Sequence, residues 1–158
     1  MSREIKILQL ADRDTILQYE RSKLAEIQPD DFERQMLEWH ATWRTEALEH
    51  YLPLGWSFGV SDDNQLSGYF LGQPQVFTRG LTQTLWIERL QFNSNEHLGL
   101  LLEVAFKLCR EKHFQQLLVT KTPQIETALK SDLGPYTDLI AKIENTAEPV
   151  FALKTSKI

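Results

Sequence analysis

Apolar and polar positions alternate at the start of the chain. Ile5, Ile7 and Leu10 are separated by Lys6 and Gln9, which predicts a short first strand over Ile5–Leu10. The period then changes. Ile16, Leu17, Leu24 and Ile27 fit a helix opened by Asp12, whose carboxylate can accept from the N–H groups of a first turn. Gln28-Pro29-Asp30-Asp31 ends it, because proline restrains its predecessor and has no N–H to continue the ladder. Phe32, Met36, Trp39, Trp43 and Ala47 recur at helical spacing and predict a second helix from about Phe32 to Tyr51. Glu33, Arg34, Glu38, Arg44 and Glu49 lie on its opposite face, and Pro53 and Gly55 close it.

From Trp56 the pattern returns to strands. Trp56–Val60, a turn at Ser61–Asn64, Gln65–Phe77 and Thr82–Phe92 read as an antiparallel meander. The polar loop Asn93–His97 then feeds the clearest helix, Leu98–Lys112. Leu98, Leu101, Leu102, Ala105, Leu108 and Cys109 form its apolar face, and Glu103, Lys107, Arg110 and Glu111 its wet side. Asn93 and Glu96 have the spacing of a capping box. Gln115–Val119 reads as a strand. Thr122-Pro123 opens a helix that ends near Leu133-Gly134, proline being tolerated in a first turn. Leu139–Glu144 and Val150–Lys154 read as a closing hairpin.

Composition narrows the function classes. The chain has 158 residues, enough for ~1 domain, and shows no internal repeat, linker or low-complexity segment, so a single domain over residues 1–158 is expected. Its net charge of −5 comes without a basic stripe, which argues against nucleic acid. An acidic balance is compatible with a cationic amine partner, but plain solubility is the simpler reading of it. One cysteine, Cys109, excludes an internal disulfide and a cysteine-based zinc site, and its place on an apolar face reads as core. His40, His50, His97 and His113 show no ligand spacing with carboxylates, so no metal is expected. No apolar run approaches the ~18 residues of a membrane span. Met1–Lys6 has no signal-peptide core, so the expected location is cytoplasmic, with no membrane partner. No Walker loop, Rossmann glycine motif or nucleophile-elbow serine is present.

Three stretches carry a family resemblance. They are the hairpin Phe58–Gly72 with its acidic turn and Gly68, the strand Ile87-Glu88-Arg89-Leu90-Gln91-Phe92 running into the polar loop, and Ala128–Gly134 at a helix end. With the element order, they make the chain resemble the GNAT N-acetyltransferase superfamily. The resemblance implies an α/β (α+β) fold, a central mixed, mostly antiparallel sheet flanked by about four helices. It also implies acyl-CoA-dependent transfer to a small-molecule or protein amine, with oligomeric state, a homodimer included, left open. The strand-to-helix loop would hold the pyrophosphate of acetyl-CoA on N–H groups at a helix start. The cofactor residues implied are Leu90, Gln91, Phe92, Asn95, His97, Leu98 and Gly99. The loop departs from the family pattern. Gly99 takes the last glycine of the motif, His97 falls on the first glycine and Ser94 on the Arg/Gln position, so weak CoA binding is expected. The family's acid tyrosine aligns with Lys130, and Tyr136 is the nearest tyrosine.

The reaction implied needs a base or relay, a donor to the thioester oxygen and an acid for the thiolate. Glu88 is the candidate base. Strict alternation puts it on one face with Leu90 and Phe92 and opposite Ile87 and Arg89; the alternative is a strand-end carboxylate paired with Arg79 or Arg89. His97 reads as a phosphate donor or as a solvated first-turn residue, His40 as a base or an exposed residue, and Tyr136 as the acid or a loop tyrosine. A backbone N–H near Leu90–Phe92 would serve the thioester oxygen. The competing class is a catalytically inactive GNAT-like module that has lost CoA and binds a ligand or partner instead.

Overall fold

The computed structural model describes residues 2–156 and gathers its strands into one seven-stranded sheet of order β1-β2-β3-β4-β5-β7-β6. The strands are β1 (Arg3–Ile7), β2 (Phe58–Asp62), β3 (Gln65–Thr78), β4 (Leu81–Phe92), β5 (Gln116–Thr120), β6 (Glu144–Asn145) and β7 (Val150–Lys154). All pairs are antiparallel except β4–β5, as expected for a mixed, mostly antiparallel sheet. The turn between β2 and β3 is tighter than the sequence suggested. Asp63 and Asn64 take positive φ of 52° and 66°, conformations that short polar side chains tolerate, and they close a two-residue hairpin.

Helices α1 (Arg13–Ile27), α2 (Asp31–Trp39) and α3 (Thr45–Tyr51) precede the meander; α4 (Asn95–Glu111), α5 (Pro123–Leu129) and α6 (Thr137–Ile140) follow it. Two buried clusters divide the sheet. Phe70, Leu85, Ile87, Leu90, Phe92 and Val119 pack with the apolar face of α4 and with α5. Tyr69 and Leu71 pack on the other face with Ile16 and Leu17 of α1 and Leu48 and Tyr51 of α3.

Several boundaries differ from the sequence pattern, each for a local reason. The expected helix Phe32–Tyr51 breaks after Trp39. The break turns Trp43 into the α1–α3 core and leaves Phe32, Met36 and Trp39 exposed, so the stripe is divided among α2, the connecting turn and α3. Asp12 does not cap α1 with its side chain; its carboxylate accepts from the Gln9 N–H at 2.8 Å and closes the preceding turn. Ile27 is exposed. The helix expected to reach Gly134 ends at Leu129, and the first strand of the closing hairpin shrinks to Glu144–Asn145, with the end of α6 and a turn in place of the rest. No helix among the described residues is long and apolar enough to cross a membrane.

The α4 face stands as expected: Leu98, Leu101, Leu102, Ala105 and Cys109 are buried. Burial pushes the Cys109 thiol up to about 12, consistent with a core residue. Leu102→Ala should cost ~2–5 kcal/mol through the cavity it leaves. Chemical denaturation checks this, and an unchanged midpoint would mean that α4 does not pack on the sheet through this face.

Candidate functional site

The two strands at the centre of the sheet separate partway along. β4 pairs with β5 only from Thr84–Gln116 to Ile87–Val119, but its pairing with β3 runs on to Phe92 opposite Gly68. The β3–β4 register jumps at the point of separation: Leu71 faces Arg89 and Gly72 faces Ile87, so Glu88 is an extra residue. Such a bulge bends and twists the strand that carries it. Gly72 is needed opposite it, because a β-carbon there would lie 2.6 Å from the Trp56 carbonyl oxygen.

The bulge also corrects the alternation read from sequence. Ile87 joins Leu90 and Phe92 in the α4 core, and Arg89 reaches α1 on the opposite face. Glu88 accepts from Trp86 Nε1 at 2.8 Å, while Arg89 is taken by Glu20. The Tyr51 hydroxyl belongs to the same neighbourhood. Burial first, and then the Glu88 charge, push it up to about 12 against the pull of the Trp86 N–H.

Beyond Ile87 the open edge of β4 meets side chains instead of a strand. Thr120 Oγ1 donates to the Ile87 carbonyl at 3.2 Å, and Gln124 Nε2 donates to the Phe92 carbonyl at 3.4 Å. The Phe92 N–H donates to Gln91 Oε1 at 3.2 Å. Strand alternation turns the Leu90 peptide to this same edge. Behind it, Glu20 of α1 is almost fully buried. It accepts from Arg89 Nε and Nη2 at 2.9 and 3.0 Å, from the Tyr69 hydroxyl at 2.5 Å and from Gln91 Nε2 at 3.4 Å. Burial lowers the Arg89 pKa, but hydrogen bonds and charge from Glu20 carry the net shift upward. Breaking a pair of this kind costs ~3–5 kcal/mol, because a buried charge is left unmatched.

The start of α4 is filled by the protein's own groups. Ser94, not Asn93, is the cap, accepting from the His97 N–H at 3.4 Å. Asn93 stays with the sheet, its N–H donating to the Ser67 carbonyl at 2.9 Å and its side chain accepting from the Tyr19 hydroxyl at 3.0 Å. His97 is buried. Its Nδ1 lies 2.8 Å from Ser94 Oγ and its Nε2 2.6 Å from Asp62 Oδ2. Arg3 completes the cluster, donating to Asp62 at 2.7 Å and to Glu96 at 2.7 Å. Arg3 first, and then His97, hold the Asp62 carboxyl well below the usual carboxylate range. One turn apart on α4, Asn95 donates to Ser131 Oγ at 2.8 Å and Gly99 lies beneath Tyr136. A β-carbon on Gly99 would be 2.3 Å from the ring. Burial raises the Tyr136 hydroxyl pKa, with Glu103 and Glu96 adding to it.

The structure therefore groups the sequence candidates in two places. Glu88, Leu90, Gln91 and Phe92 gather at the strand separation, and Asn95, His97, Leu98, Gly99 and Tyr136 at the start of α4. His40 is exposed at the end of α2, where it lines an open groove with Trp39, Arg44 and Glu46. Sequence reasoning missed Glu20, Thr120, Gln124 and Ser131. Glu20 alone had a signal: it stands four residues after Ile16 and four before Leu24, a carboxylate on an apolar stripe.

No protein-family model matches the sequence, and no curated protein matches it. Solved structures do match the fold. The PaiA N-acetyltransferase of Thermoplasma acidophilum, in complex with coenzyme A, is 15% identical with a TM-score of 0.66, covering 98% of this chain and 99% of that one. A probable acetyltransferase of Staphylococcus epidermidis is 15% identical with a TM-score of 0.67, covering 98% and 100%. The polyamine N-acetyltransferase of Drosophila melanogaster is 10% identical with a TM-score of 0.62, covering 97% and 100%. At these identities the likeness establishes the fold, which is that of the GNAT N-acetyltransferases.

The Asp62 cluster sets a pH dependence. With its folded pKa depressed, Asp62 contributes stability above its unfolded value of ~3.9 and loses it as pH falls through the folded value. Asp62→Asn should therefore be less stable at neutral pH and show a shallower loss of stability on acidification below ~pH 4. Parallel acid denaturation curves for the two proteins would show that the clasp contributes nothing.

Proposed function

We propose that this chain is an acyl-CoA-dependent N-acyltransferase acting on a small-molecule amine, with its acyl donor lying along the open edge of β4. One observation carries the reading: the Glu88 bulge, at which a buried strand leaves its neighbour and turns backbone toward the gap. A thioester laid there would find N–H donors from Leu90 or Phe92 for its carbonyl oxygen. Glu88 projects from the same bulge toward Trp86 and Tyr51 and would take the ammonium proton, directly or through water. The freed amine attacks the carbonyl carbon, the C–N bond forms, and the C–S bond breaks to release the thiolate. The coenzyme A bound to one fold relative supports the donor. The polyamine and agmatine acetyltransferases among the others support a small cationic acceptor.

A specific observation favours a second reading, a non-catalytic GNAT-like module. The positions that would meet the donor are occupied by the protein itself: Gln91 and Gln124 on the Phe92 peptide, His97 turned inward to Asp62, and Tyr136 on Gly99.

Calorimetric titration with acetyl-CoA and CoA separates the two, and turnover assays with agmatine and polyamines follow. Measurable binding is expected, weaker than is usual for the family. Glu88→Gln should lower turnover by ~10²-fold or more at neutral pH and leave CoA affinity unchanged. Absence of binding at millimolar CoA would make the non-catalytic module the better account.

A further inference from the structure

We infer that residues 131–136 are a movable strap that gates the start of α4, with Tyr136 as its plug. The inference rests on the donor proposed above, reaching from the β4 edge on to the start of α4, and adds a control that such a site does not itself imply. Asn95 and Gly99 share one face of α4, and the strap lies across it. Tyr136 covers Gly99 so closely that even one added carbon would collide with the base of its ring, so no ligand atom fits between them. A phosphate seated on the first N–H groups of α4 and passing this face requires the ring to leave.

The strap is built to leave. Leu133 is its one buried side chain; Ser131, Asp132, Gly134 and Pro135 are exposed and Tyr136 is half-buried. Gly134 turns the chain at φ +57°, a conformation easy for glycine. The latch is a single exposed hydrogen bond, Asn95 to Ser131, and Ser131 in turn donates to the Ala128 carbonyl at 2.6 Å. Segments with so few buried contacts open without global unfolding. The glycine at position 99 thus accommodates a ring of the protein when the strap is closed and a ligand when it is open.

Two measurements test the gate. In the free protein, native-state hydrogen exchange should find the amides of Ser131 and Tyr136, which donate to the Ala128 and Leu133 carbonyls, exchanging by local opening, about 100-fold or more faster than those of β3 and β4. Protection equal to the sheet would overturn the strap. CoA titration is then compared across wild type, Tyr136→Ala, Tyr136→Phe and Ser131→Ala. Removing the plug should tighten binding about 10-fold, and removing the latch should tighten it less. Tyr136→Phe, which keeps the ring, should match wild type. Ser131 is exposed, so its variant tests the latch even if Tyr136→Ala does not fold. Equal affinity in wild type, Tyr136→Ala and Ser131→Ala overturns the gate and leaves the donor site standing. No binding by any of the four proteins overturns both.

Discussion

A strand edge inside a protein cannot leave its N–H and C=O groups unpaired, because each lost hydrogen bond carries a desolvation cost. β4 presents such an edge once it parts from β5 at Ile87. Much of the architecture around it is an answer to that constraint. Thr120, Gln124 and Gln91 reach the Ile87 and Phe92 peptides from three elements. Side-chain partners of this kind can be exchanged for a ligand at little cost, whereas a paired strand could not. The Ile87 and Phe92 groups are therefore both satisfied and available, which is what a site for an extended ligand requires.

The bend that creates the edge needs support from behind. Glu20 supplies it by tying α1 to Arg89, Tyr69 and Gln91 through one buried carboxylate. Gln91 links the two sides, since its amide N–H group reaches Glu20 while its oxygen accepts from the Phe92 N–H. On the far side of the loop, Arg3, Asp62 and His97 bind β1, β2 and the first turn of α4 together. The loop between them is short and held at both ends, and its cap, Ser94, falls where two fixed structures meet.

Periodicity made much of this legible. The hairpin about Asp63-Asn64, the long β3 and β4 and the apolar face of α4 all follow from local pattern, because each element buries one face and exposes the other. The GNAT fold followed from their order. Features set by tertiary contact were not legible. Nothing local marks Glu88 as an extra residue, and without the bulge the faces of Ile87 and Glu88 are misread. The break after Trp39 is decided by where Trp43 can be buried. His97 was readable as a loop residue near a helix start, but its inward turn depends on Asp62, 35 positions away. Tyr136 was noticed for its hydroxyl, whereas its contact with Gly99 is made by the ring.

The central claim is that the open edge of β4 is where an acyl-CoA lies. Backbone amide chemical shifts recorded during titration with CoA test it at the residues themselves. The account predicts the largest changes at Leu90 and Phe92, with accompanying changes in the side-chain amides of Gln91 and Gln124. Changes confined to other surfaces, with Leu90 and Phe92 unmoved at saturating CoA, would contradict it.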